Sequence, residues 1–288
     1  MKSFAEKLLE KKPLITAEFW IDEKIDQNSI QQRVKFYDER IDALNVVDNP
    51  GSNVRTSPIV VAHLLQELNL EPIVHLTCRD RNRSALESDL LGMHLLELKN
   101  VLALSGDYPT LGNRPQTKPV FDLDSVQLLG LIQKMKEEQN FLFCAGAVIN
   151  LNPEQVEWQI LKMNQKIKVG ARFFQTQPIW KVEDFIKFKS AIRPDESGQS
   201  AIPILAGILV LKSAKMAKFI NEHIPGLTIP TNIVEEMETA TDQKEKGIEI
   251  ATRLARDLIT LAEGIYLMTM GADEKVAKIL EQIKILLT

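Results

Sequence analysis

The chain has 288 residues, 44% of them hydrophobic, and a formal net charge of −4. That length suits one barrel of roughly 250 residues or two smaller domains, and with no long Gly/Ser- or Pro-rich linker a single domain over 1–288 is expected. The charge gives no electrostatic footprint for nucleic acid, no apolar run approaches the roughly 20 residues of a membrane span, and the charged opening MKSFAEKLLEKKP is not a secretory signal.

Cys78 and Cys144 read as two reduced thiols in a cytoplasmic protein rather than a disulfide framework. His63, His75, His94 and His223 have no metal-ligand spacing, so no metal is expected.

In chain order, a short helix is predicted over 2–11 and a first strand over 14–19. An amphipathic segment near 27–40 precedes a strand at 43–48. Thr56 and Pro58 open a helix running to Leu70, since proline at a first turn forfeits only an N–H that would be unpaired anyway. A strand at 72–77, a helix at 83–98 and a strand at 100–105 follow. The loop GDYPTLGNRPQTKPVFDLD then leads to Asp124 or Ser125, either of which can cap a helix to 138.

Further strands are predicted at 141–149, 171–177, 202–208 and 264–270. Helices are expected from Asn152 and Pro153 to 168, at 181–192, at 212–223, as an insertion at 226–240, at 242–262 and at 273–287, with PDESGQS a surface loop. Eight mainly apolar strands alternating with helices predict a parallel sheet buried on both faces. A closed (β/α)8 barrel is the expected α/β architecture, with an open doubly wound sheet as the alternative. No GxGxxG follows the first strand, which weighs against a dinucleotide-binding half.

Polar residues follow five of these apolar runs: Glu18; Asp48 and Asn49; Thr77 and Arg79; Ser105 and Asp107; Gln175 and Gln177. In a barrel the strand ends build one shared pocket. Glu18, between Ala17 and Phe19, is a carboxylate partly desolvated and so suited to donate a proton near neutral pH; it also reads as a structural carboxylate held by a lysine or backbone amides. Gly106 permits a sharp turn before Asp107, which either binds N–H groups of a heterocycle or forms an Asx-turn before Pro109.

Gln175 and Gln177 share one side of a strand, and paired donors and acceptors suit an amide-like ring edge; Gln175 equally suits a polar layer inside the barrel. The basic run RDRNR holds phosphate or forms local salt bridges in a solvated loop. Gln159, Lys162 and Lys166 lie on one helical face, either toward a phosphate or on the wet side. Met268, Met270 and Phe173 read as core.

Taken together, HLTCRDRNR (75–83), NVLALSGDYPTLG (100–112), KPVFDLDSVQLL (118–129), KVGARFFQTQPIW (168–180) and IPILAGILVLKSAKMAKF (202–219) resemble the methylenetetrahydrofolate reductase family, particularly its short bacterial form. The resemblance implies a (β/α)8 flavoprotein of one-carbon metabolism and methionine biosynthesis. It would reduce 5,10-methylenetetrahydrofolate to 5-methyltetrahydrofolate by hydride transfer from flavin N5. FAD is implied, with FMN as the alternative.

By the same resemblance Glu18 matches the general acid, which would protonate N10 of the folate. Asp107 matches an aspartate near pterin and flavin, and Gln177 a glutamine on the pterin. Asp48, His75, Ser105, Gly106, Phe121, Gln159, Lys162 and Lys166 fall on or beside flavin-contact positions, the lysines toward phosphate. Family members usually carry a Pro-Pro-Lys-like segment after the glutamate, where this chain has Phe19-Trp20-Ile21-Asp22. Asp48 stands where longer relatives carry Thr, and Ser105 where they carry Arg.

NADH or a reduced partner protein is the implied electron donor, in a homo-oligomer or a hetero-complex. Two other readings remain at this point: a non-catalytic flavin- or folate-binding subunit, and a flavin-free barrel methyltransferase that uses a methylfolate.

Overall fold

The computed structural model describes residues 2–10, 12–37, 39–109, 112–192, 202–224 and 226–283. Eight parallel strands close into a barrel in sequence order, β1 pairing with β8. They are β1 Leu14–Phe19, β2 Ala43–Val46, β3 Pro72–Thr77, β4 Asn100–Leu104, β5 Cys144–Ile149, β6 Phe173–Pro178, β7 Ile204–Leu209 and β8 Gly264–Met268. The open-sheet alternative is thereby excluded.

Eleven helices accompany them among the described residues: α1 Phe4–Lys7, α2 Gln27–Arg33, α3 Pro58–Glu67, α4 Arg83–Leu95, α5 Ser125–Gln139, α6 Val156–Lys168, α7 Val182–Ala191, α8 Ala214–His223, α9 Thr231–Thr239, α10 Gln243–Leu258 and α11 Glu274–Ile283. No helix among the described residues is long and apolar enough to cross a membrane.

Two apolar cores result. One lies between strands and helices and takes the outward-facing strand residues, such as Ala17, Val46, Val74 and Ile265. The other fills the amino end of the barrel with Leu14, Ala43, Ile73, Leu102, Cys144, Phe173, Leu205 and Tyr266.

That inner core explains why α1 is shorter than predicted. Ser3 and Glu6 cap its single turn reciprocally, and its first residue, Phe4, is buried beneath the barrel, its ring 5.1 Å from Phe173 in an edge-on contact. The backbone N–H of Phe4 is tied to Glu71. The segment acts as a plug whose length is set by the barrel floor rather than by helix propensity.

Other differences trace to local geometry. The strand predicted from 141 begins at Cys144, because Asn140 ends α5 in a left-handed conformation and Phe141 stacks on His94 at 3.8 Å. The helix predicted from Asn152 starts at Val156. The segment predicted over 27–40 is helical only to Arg33, then tightens to a 3-10 turn. The strand predicted to 48 ends at Val46, just before Asn49 turns left-handed. The insertion is realised as α9. The PDESGQS loop lies outside the described residues, as does the predicted helix beyond 283.

Candidate functional site at the carboxyl ends of the strands

Parallel closure puts the ends of all eight strands on one rim, so Glu18 near the end of β1, Asp107 after β4 and Gln177 in β6 share the same mouth. Glu18 lies in register with Asn45 on β2, with its side chain buried. One carboxylate oxygen accepts the N–H of Met270 at 2.9 Å, and the Tyr266 hydroxyl lies alongside.

Burial pushes this carboxyl up to about 7, assisted by the negative charge of Asp273 and opposed by the Met270 N–H, Lys212 and Tyr266. Asp273 does not touch it directly. It pairs with Arg33 and accepts the Tyr37 hydroxyl at 2.6 Å, while that hydroxyl also lies 3.0 Å from the Glu18 carbonyl. The Phe19-Trp20 segment is therefore well anchored, with Arg33 stacked 4.4 Å over Phe19. At neutral pH Glu18 exists as a mixture of acid and carboxylate, the state a reversible proton donor needs.

Below the rim runs a polar layer. His75 contacts the Asn45 side-chain oxygen at 3.3 Å, and the Gln175 amide donates to the same oxygen at 2.8 Å. Gln175 is thus the interior filler of the two glutamines, whereas Gln177 is exposed. Burial pushes the His75 imidazole down to about 4, with Asp48 opposing it.

The folded value of His75 lies below the unfolded one of 6.5, so its stability contribution is complete above pH 6.5 and is lost as pH falls through 4. The loss amounts to about 3 kcal/mol. His75→Gln should flatten the fall in stability between pH 7 and pH 4, read by urea unfolding; a slope identical to wild type would show that the imidazole is not kept neutral.

The basic run after β3 is neutralised from within. Arg81 donates to Asp48 at 2.7 Å and to Asp89 at 2.7 Å, and Asp48 also takes the Thr77 N–H and hydroxyl. Arg79, 2% exposed, pairs with Asp80 and reaches the backbone carbonyls of Asn49 and Asp107. Arg79 and Arg81 thus form a strut of local salt bridges, while Asn82 and Arg83 are exposed. The strut shapes the next turn: Gly106 has φ +90°, and a Cβ there would stand 2.9 Å from the Arg79 Cβ.

Ser105 accepts the Ser125 N–H at the start of α5. Asp107 is exposed, its backbone carbonyl held by Ser52 and Arg79. Phe121 stacks near Tyr108 with centroids 6.1 Å apart, both partly exposed. On α6, Lys166 bends to the Val148 carbonyl at the end of β5 (2.7 Å), and burial together with Lys162 lowers its proton affinity. Lys162 is exposed, 5.3 Å over the Trp158 ring, and Gln159 is half-buried.

Three features fit a flavin nucleotide. Neither Lys162 nor Lys166 has an ion-pair partner among the described residues, which leaves cationic capacity for phosphate. Asn45 Nδ2 and Gln175 Oε1 are a buried donor and acceptor without partners inside the barrel. Tyr108 and Phe121 offer an exposed aromatic surface. No cluster of metal-ligating side chains occurs among the described residues.

The model of the family described as methylenetetrahydrofolate reductase matches residues 3–284. The chain belongs to the methylenetetrahydrofolate reductase family. It is 24% identical over 258 residues to methylenetetrahydrofolate reductase 1 of Schizosaccharomyces pombe, covering 82% of this chain but only 39% of that protein. It is 25% identical over 215 residues to the 5,10-methylenetetrahydrofolate reductase of Escherichia coli, covering 74% of this chain and 68% of that one. The chain thus spans about two fifths of the longer relative.

Among solved structures, an uncharacterized protein from Clostridium thermocellum that binds two copies of 5-methyl-5,6,7,8-tetrahydrofolic acid superposes with a TM-score of 0.72. The two are 17% identical and cover 98% of each other, a likeness of fold.

Within this reductase-family barrel, several groups around Glu18 escape a reading of the sequence alone. Tyr266 carried a signal, since it shares strand parity with Gly264 and Met268 and therefore faces inward. Lys212, the Met270 amide and Asp273 carried none, because loop residues meet only once the barrel closes.

Proposed function

We propose that this chain reduces 5,10-methylenetetrahydrofolate to 5-methyltetrahydrofolate with a bound flavin, FAD or in its place FMN, as one barrel unit. The observation that carries the reading is Glu18: a buried carboxyl on the rim, half protonated near pH 7, in a chain of the reductase family. The folate-binding neighbour of the same fold supports the substrate class.

A bound flavin would supply the hydride that reduces the one-carbon unit. Glu18 gives its proton to N10, so the five-membered ring opens to the 5-iminium cation that accepts the hydride. Asp107, exposed and fixed by its backbone to Ser52 and Arg79, holds negative charge where that cation develops. Gln177 orients the pterin edge. Lys162, Lys166 and Gln159 would hold the phosphate side of the nucleotide, Phe121 the aromatic side, and His75, Asp48, Ser105 and Gly106 the wall between. NADH or a reduced partner protein supplies electrons, and the setting is cytoplasmic.

Colour tests this directly. The purified protein should be yellow, bleach under anaerobic reduction, and regain its colour when methylenetetrahydrofolate is added. A yellow protein inert to the folate would mark a binding subunit instead. A colourless protein that binds methylfolate would mark a methyltransferase. Reduction by NADH against a reduced partner protein, followed in stopped flow, identifies the donor class.

A further inference from the structure

The end of β8 is held in an unusual way. Met270 has φ 49° and Gly271 φ 84°, two successive left-handed residues. Glycine adopts that conformation freely, whereas a methionine there is strained by roughly 1–2 kcal/mol. Both peptide groups flanking Met270 are used. Its N–H points at Glu18 Oε2 (2.9 Å), and its carbonyl accepts the Lys212 ammonium at 2.6 Å.

Lys212 comes from the loop after β7 and is half-buried. On the other side the Trp20 ring lies against Gly271, where an added Cβ would stand 3.4 Å from it. Trp20 belongs to the segment that departs from the family's Pro-Pro-Lys-like pattern.

We propose that Lys212 is a positioning residue for Glu18: by clamping the Met270 carbonyl it keeps the preceding amide aimed at the carboxyl group. This rests on the reading of Glu18 as proton donor. Without the clamp, Met270 is free to relax toward negative φ, and its N–H leaves the carboxylate. Lys212 also brings a positive charge near the same group. Both effects favour the ionised form of Glu18, so loss of Lys212 moves its titration upward.

The other groups facing Glu18 push in known directions. Asp273, in the turn before α11, raises its proton affinity; Tyr266 lowers it. Tyr37 and Arg33 contact Asp273, and Lys275 stands beside Lys212 with its ammonium on the Leu211 carbonyl at 3.2 Å. None of these replaces the Lys212 contact at Met270.

The test titrates Glu18 itself in the purified full chain, by the infrared carboxylic-acid band that Glu18→Gln abolishes. Lys212→Met should move the midpoint up by about one pH unit, a tenfold change in protonation, and Lys212→Arg should restore it. Lys212→Gln, which keeps a donor without the charge, should fall between and serves if the methionine variant folds poorly.

In a Met270→Gly background, where the left-handed turn needs no clamp, Lys212→Met should move the midpoint less. An unmoved midpoint in Lys212→Met overturns the proposal. An equal shift in both backgrounds overturns the route through the peptide and leaves charge alone. Should Glu18→Gln retain folate reduction, the proton-donor reading falls, whereas the titration result stands or falls by itself.

Discussion

Glu18→Gln should reduce folate turnover by about 10²–10⁴-fold, the usual worth of a general acid, while flavin colour persists. Glutamine preserves shape, and its side-chain oxygen still accepts the Met270 N–H seen at 2.9 Å. What it lacks is a transferable proton. Hydride exchange between electron donor and flavin does not need that proton, so the reductive half-reaction should be little changed. Wild-type oxidation of the reduced flavin by methylenetetrahydrofolate in the variant would remove Glu18 from the chemistry.

The same substitution should raise stability, in a pH-dependent way. The folded carboxyl titrates near 7 and its ordinary value is 4.5, so between those values the folded state holds a proton that the unfolded chain has released. Stability therefore falls as pH rises through this window, by up to about 3 kcal/mol, and stays low above it. Glutamine has no such loss. The variant should gain on wild type in urea unfolding at pH 8 and lose that advantage at pH 4.5. A gap independent of pH would mean that burial does not perturb this group. Reduced activity joined to increased stability is the behaviour of a residue retained for function.

How much of this was legible in the sequence follows from where each interaction is decided. β1 and β3 match their predicted bounds because both are mainly apolar runs, buried along their whole length. Glu18 stood out for the same reason: a charge inside such a run has few structural uses. Gln175 and Gln177 share strand parity and were separable because distance from the rim decides which is buried.

By contrast, the lower burial of Phe4 beneath the barrel depends on the size of an opening that exists only after closure. The RDRNR run could be read as a phosphate site or as a salt-bridged loop because the partners of Arg81, Asp48 and Asp89, lie on other elements, one 33 residues and one 8 residues away. The Lys212–Met270–Glu18 chain joins the loops after β7 and β8 to the end of β1, and nothing local distinguishes Lys212 from the neighbouring lysines of α8.

Asp48 shows the second large effect. Its side chain is fully buried and takes three kinds of donor: the Thr77 N–H at 2.9 Å, the Thr77 hydroxyl at 2.7 Å and the Arg81 guanidinium at 2.7 Å. Asp48→Ala leaves that guanidinium with Asp89 as its one carboxylate partner among the described residues and takes their shared acceptor from the Thr77 N–H and hydroxyl. Breaking a buried pair from one side costs about 3–5 kcal/mol, a fall in Tm on the order of 10 °C in a chain of this size.

Asp48→Asn should cost less, since an amide oxygen still accepts from Thr77. If the cost comes from the uncompensated charge, Arg81→Ala in the Asp48→Ala background adds little further loss, and the double-mutant cycle returns a coupling well above the roughly 0.5 kcal/mol expected of independent sites. Additive losses would show that Asp48 acts alone. Flavin retention in the same variants separates its roles: a strut variant that folds at low temperature and still binds flavin uses Asp48 for Arg81, whereas one that folds and stays colourless uses it for the cofactor wall.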